Sequence, residues 1–285
     1  MLLQAAVCAY SLANDSLWTV HQHGEHHHAA ENEIWLSADR PGAGTGSEVL
    51  NKGKIQWETG FDVTHIRGVH LLTLPTTLFR FGLHKRAELR LEYTGVAAVT
   101  DKKSTGQYTP TPLTIGTKLL LCGHHAGQLD IAWMPRAALM LNLGLPLTPS
   151  MAKTMPLTGS IDLLCEHEVT EWLSIGYDAG AHWTEWAPAP DIFASLCINF
   201  EPTDHLGLFV ESYNTFDPDA VNPDTGIRRT GYDICLDFGI TYAVHPRVQL
   251  DVNAGFNLYT SDPALSSPAR QASAGLGVTW LIWHP

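Results

Sequence analysis

Ile55-Gln56-Trp57-Glu58-Thr59-Gly60-Phe61-Asp62-Val63 alternates apolar with polar side chains on either side of a central Thr-Gly pair. Successive side chains of a β-strand point to opposite faces, so this stretch gathers Ile, Trp, Phe and Val on one face and Gln, Glu and Asp on the other. One face suits hydrocarbon and the other suits water. In hydrocarbon every backbone N–H and C=O must be paired within the protein, so a sheet with a lipid-facing side has to close on itself and surround a lumen.

The same alternation returns from Gly53 to Trp283, near residues 53–66, 73–83, 87–99, 112–123, 129–146, 159–169, 173–183, 191–201, 206–214, 230–243, 247–259 and 271–283. That predicts about twelve strands, an even number as in bacterial single-chain barrels. The connections alternate too. Leu83–Arg86, Thr170–Glu171, Pro202–His205 and His245–Pro246 are short, whereas Thr100–Thr111, Leu147–Thr158, Thr184–Pro190, Phe216–Arg229 and Thr260–Arg270 are mostly longer and rich in Pro, Gly, Ser and Asp. Cys122–Gln128 fits the short set least well. Outer-membrane barrels have short periplasmic turns and long outer loops. The expectation is therefore an all-β, antiparallel up-and-down transmembrane β-barrel in a bacterial outer membrane, with both termini periplasmic. Strands of this length suit a bilayer better than a soluble sheet, whose strands commonly have five or six residues. Trp57, Tyr93, Trp172, Trp183, Tyr242, Tyr259, Trp280 and Trp283 fall near strand ends, where a membrane interface favours them.

Composition agrees. Charged residues make up 16% of the chain against about 25% in soluble domains, and mean hydropathy is −0.04, because apolar residues are interleaved with polar ones. No run is long enough for a transmembrane helix. A net charge of −12 excludes a nucleic-acid partner, which needs a basic patch to displace counterions from phosphates. No Gly-x-Ser-x-Gly elbow, His-Glu-x-x-His helix or phosphate loop is present, so no cofactor is expected and no catalytic residue is assigned. An enzyme acting on lipids would need Ser174, His167 and Asp178 together, and alternation puts Ser174 and His167 on opposite faces.

Three regions are expected. Residues 1–13 read as a signal peptide without its basic start, which places the true start upstream. Residues 14–52 read as a flexible, His-rich periplasmic arm or a plug, and residues 53–285 as the barrel. Cys122, Cys165, Cys197 and Cys235 lie within or at the ends of strands without metal-site spacing and are expected to be small apolar strand residues. In the arm, His21, His23, His26, His27 and His28 carry ligands for a divalent metal, held weakly for want of a rigid scaffold.

Parity assigns the inner face. It carries Glu58, Asp62, Arg80, Glu88, Arg90, Glu92, Lys118, Arg136, Glu211, Asp237 and Asp251, and acids outnumber bases among them. These residues are the candidates for lining the lumen and setting selectivity, with Arg80, Glu88, Arg90 and Glu92 as an ion-pair network. The excess of carboxylates favours cations or neutral solutes over anions.

Several motifs resemble one family. Asp39-Arg40-Pro41, Gly53–Phe61, Leu78-Phe79-Arg80-Phe81-Gly82-Leu83, Arg86-Ala87-Glu88-Leu89-Arg90, Leu113–Lys118 and Asp237–Tyr242, running into His245–Asp251, are similar to the MetA-pathway-of-phenol-degradation or transporter family of outer-membrane barrels. The resemblance spans about residues 39–283. It implies a channel giving small, often hydrophobic or aromatic compounds passive passage, with the lipid bilayer and a small solute as partners. Arg80, Glu88 and Arg90 match the family's charged positions, and Asp39 and Arg40 are candidates for a plug that pairs with the wall. The alternative is a closed barrel that acts through its surface loops, of which 216–229 is the longest acidic one.

Overall fold

The computed structural model describes residues 36, 38–66, 69–100, 103–123, 135–220, 230–261 and 271–284. Among them lie thirteen strands: β1 (Ile55–Ile66), β2 (Val69–His84), β3 (Ala87–Thr100), β4 (Lys103–Pro110), β5 (Leu113–Cys122), β6 (Arg136–Leu145), β7 (Thr158–Thr170), β8 (Leu173–Thr184), β9 (Asp191–Thr203), β10 (Leu206–Asp217), β11 (Gly231–His245), β12 (Val248–Thr260) and β13 (Gln271–Trp283). A turn of 3-10 helix at Met151–Lys153 follows β6. The strands pair antiparallel around one sheet, and β13 returns to β1 in register from Ile66↔Gln271 to Trp57↔Trp280. The sheet is a closed barrel.

β3 pairs with β5 over Ala87–Glu92 and with β4 over Gly95–Thr100, so β4 and β5 are two halves of one barrel strand broken at Thr111-Pro112. Counted around the wall, thirteen strands make twelve staves. The expected loop at Thr100–Thr111 is thus corrected: Lys103–Pro110 is a strand. Its Lys-Ser-Thr-Gly-Gln stretch has no apolar–polar alternation in the sequence to mark a strand. β2 likewise begins at Val69 instead of 73, and a register shift between Thr73 and Thr76 absorbs Pro75, which has no N–H for the ladder. β6 starts at Arg136 among the described residues; the expected beginning of that strand near 129 lies outside them, as do residues 1–35 with the signal-peptide region and the histidine cluster.

The barrel is apolar outside and polar within. Along β9, Phe193, Ser195, Cys197 and Asn199 are buried while Ile192, Leu196, Ile198 and Phe200 are exposed, with Leu196 at 52% and its neighbour Cys197 at 0%. The large side chains that are fully buried include Arg80, Lys118, Gln56, Gln249, Glu58, Glu88 and Glu211. A water-soluble fold buries the reverse set. Exposed Trp172, Tyr242, Trp280 and Trp283 ring the end of the barrel that carries the short turns, and Trp183 and Tyr259 stand at the end that carries the long loops. This is the surface of a barrel built to sit in lipid.

Residues 38–50 run inside this wall, buried except for the half-buried Glu48. Leu36 packs on Ala243 and Leu281 at the turn end. The chain climbs to the level of Glu211 in mid-β10 and descends until Asn51 meets Gly82, again at the turn end. Of the segment 14–52 expected as an arm or a plug, residues 38–50 thus lie within the lumen. They carry Ala38, Ala43, Val49 and Leu50, which the lumen shields, and no alternation that could join the sheet.

Candidate functional site

A coil crossing a lumen has no ladder to satisfy its backbone, and each buried N–H and C=O still requires a partner. The wall supplies them by charge. Glu58 accepts the N–H groups of Asp39 and Arg40 at 3.0 and 3.1 Å, Glu211 those of Ala43 and Gly44, Asp178 that of Thr45 at 2.6 Å and Glu88 that of Leu50 at 2.6 Å. Lys118 Nζ donates to the carbonyls of Gly46 and Glu48 at 2.8 and 3.1 Å, and Arg80 donates to the Glu48 carbonyl at 3.2 Å. Carboxylates hold the donors of the segment and cations hold its acceptors.

The side chains lock it further. Arg80 on β2 stands directly opposite Arg90 on β3, and Lys118 on β5 opposite Glu88 on β3. Like charges facing each other across two strands repel unless an anion separates them. Glu88 pairs with Arg80 at 2.8 Å and Arg90 at 3.0 Å, and Asp39 of the coil pairs with Arg80 at 3.3 Å, with Lys118 at 2.9 Å and with Arg90. Burial alone would raise the Asp39 carboxyl, but the three cations outweigh it and hold the group below the usual carboxylate range. Arg40 reaches the adjoining arc of the wall formed by β12, β1 and β2, 3.4 Å from Asp251 and 3.9 Å from Asp62, and donates to Thr76 Oγ1 at 2.8 Å. Gly60 and Gly277 leave the room its guanidinium fills, since a Cβ at either would strike it.

The remaining candidates from the sequence lie elsewhere on the wall. Arg136 sits near the turn end, 2.9 Å from Glu168 and 3.7 Å from Glu166. Glu92, Asp62 and Asp237 line a cavity of about 70 Å³ above Pro41-Gly42-Ala43, together with Tyr213 and Asn253. Asn253 Nδ2 donates to Asp237 at 3.3 Å. A second cavity of about 10 Å³ lies between Thr45, Asp162, Asp178, His182 and Phe193.

Sequence reasoning missed His182, which meets Asp162 at 2.6 Å, and the buried Ser195 and Asn199. His182 shares the parity of Asp178 on β8, so the alternation carried the signal. The pairing of residues 39–50 with particular wall acids had no signal, because a coil has no period. Ser174 lies in the lumen, where it is within 3.4 Å of Glu166, whereas His167 stacks on Tyr177 with ring centres 6.3 Å apart. They form no nucleophile–base pair. The described cysteines are free, with Cys197 and Cys235 buried.

The family described as "Putative MetA-pathway of phenol degradation" matches residues 38–271. Among solved structures, an outer membrane channel from Pseudomonas putida F1 superposes with a TM-score of 0.59 at 11% identity, covering 82% of this chain and 97% of that one. The NanC porin superposes with a TM-score of 0.54 at 7% identity, covering 79% and 98%. At such identities the likeness concerns the fold. No curated protein matches the sequence.

Proposed function

We propose that this chain, which belongs to the family of the putative MetA pathway of phenol degradation, is an outer-membrane channel giving small molecules passive passage, closed at rest by residues 38–50 acting as a plug. The observation that carries this reading is a lumen occupied by a coil that is held without covalent bonds, by hydrogen bonds, ion pairs and apolar packing, inside a wall whose outer face is apolar. Non-covalent filling can be withdrawn. With the coil gone, the acids and bases that now hold it would line a water-filled path, and the short turns and both termini would face the periplasm as in other barrels of this kind. The lumen-lining set is Glu58, Asp62, Arg80, Glu88, Arg90, Glu92, Lys118, Arg136, Glu211, Asp237 and Asp251, and its acid excess favours cations and neutral solutes. The family's description adds small aromatic compounds to the solutes worth testing. No covalent step is needed, and flux follows the concentration gradient.

Solute flux into liposomes holding the refolded protein tests this, comparing sugars, organic cations, organic anions and small aromatics. The expected result is entry of cations and neutral aromatics ahead of anions. The buried ion pairs of Asp39 also suit a second reading, a permanently filled barrel that acts through its surface loops. Flux of no solute, with or without residues 38–50, would favour that reading.

A further inference from the structure

Gly44 sits at the top of the coil with three wall oxygens closing around one point beside it. The position that a Cβ on Gly44 would occupy lies 2.6 Å from Asp178 Oδ2, 2.8 Å from Glu211 Oε1 and close to Ser195 Oγ. These atoms come from three consecutive staves, β8, β9 and β10, held in register by Asp178↔Ser195 and Glu211↔Cys197. The wall therefore sets the three side chains next to one another, and in the resting protein the coil's N–H groups occupy the point between them.

What occupies it now is a set of N–H donors. Glu211 accepts from Ala43 and Gly44 and Asp178 from Thr45, at 2.5, 2.6 and 2.6 Å. Asp178, which lines the 10 Å³ cavity, is only 5% exposed, and its Oδ1 has no hydrogen-bond partner among the described residues. A buried carboxylate oxygen with no donor is costly in the resting protein. Asp178 thus keeps acceptor capacity on its second oxygen that the coil leaves unused.

We propose that Asp178, Glu211 and Ser195 form a subsite for the ammonium group of a permeating primary amine, and that the plug's residues 43–45 occupy the amine's place at rest. This rests on the channel reading and names a solute class for it. An ammonium nitrogen carries three N–H donors, and two carboxylates and a hydroxyl grouped around one point offer it three acceptors. A calcium ion takes six to eight oxygen ligands, which three side chains do not provide. A quaternary ammonium has the same charge and no N–H. Because plug and amine use the same oxygens, amine binding and plug seating exclude each other, so an amine acts as an opener as well as a passenger.

The test uses n-propylammonium, with tetramethylammonium as the donor-free cation of equal charge. In planar bilayers holding the full chain, propylammonium is expected to raise the open probability and tetramethylammonium to leave it unchanged. In the chain lacking residues 38–50, the permeability ratio of the two is expected to favour propylammonium about tenfold, the weight of one charged hydrogen bond. Asp178→Asn with Glu211→Gln should erase that ratio, and Ser195→Ala, the milder change, should reduce it. Equal permeation, or a ratio the substitutions leave intact, overturns the proposal. Calorimetric titration of propylammonium into the detergent-refolded chain without residues 38–50 reads the subsite even if nothing conducts. Binding without conduction would overturn the channel reading alone, and absence of binding would overturn the subsite. Heat-modifiable electrophoretic migration confirms that each variant is a folded barrel.

Discussion

Asp39 is one residue that decides whether three cations can share a buried wall. Arg80, Arg90 and Lys118 all reach its carboxylate, and two of them oppose each other directly across β2 and β3. Removing one partner from a buried ion cluster leaves uncompensated charge and costs about 3 kcal/mol or more. Asp39→Asn is therefore expected to lower the free energy of unfolding, read by urea titration, by that order and to unseat the coil, while Lys118→Met added to it should recover part of the loss. A double-mutant cycle with no coupling between 39 and 118 would contradict this. The sequence made Asp39 and Arg40 legible as charges without a strand to belong to, and parity made Arg80, Glu88, Arg90 and Lys118 legible as inward. It did not show that Glu58, Glu88, Asp178 and Glu211 serve the coil's backbone, because a carboxylate that binds an N–H looks the same in sequence as one that binds a cation.

Each strand acts as a two-sided element, and its two sides answer to different solvents. Leu196 at mid-β9 is half exposed to the outside, and the residues beside it, Ser195 and Cys197, are buried within. An arginine placed at the outer position near the bilayer midplane costs about 2–4 kcal/mol. Leu196→Arg should therefore destabilise the refolded barrel by that amount in lipid, measured by urea titration in vesicles, whereas Leu250→Arg, nearer the turn end, should cost less. Equal costs would mean that the outer face does not meet hydrocarbon. Strands with strict alternation, such as β7, β9 and β13, were legible almost to the residue. β4 was not, since Lys103–Gln107 is polar on both faces, and the Pro110-Thr111-Pro112 break hides that β4 and β5 continue one stave.

The whole molecule is a closed wall around a coil, and its inner carboxylates satisfy a backbone that no sheet can pair. In the channel we propose, the same carboxylates face water and set which solutes pass once residues 38–50 are withdrawn. The barrel was legible in the sequence because a two-residue period repeated around a wall is a strong signal. The filling of its lumen was not, because it depends on which wall atoms the coil meets in three dimensions. The measurement that tests this most directly is single-channel conductance of the full chain against the chain lacking residues 38–50, in planar bilayers at fixed salt. The full chain should stay mostly closed, and the shortened chain should conduct steadily with cations preferred over anions. Conductance that is the same in both would contradict a plug, and a shortened chain that prefers anions would contradict the acid-lined path.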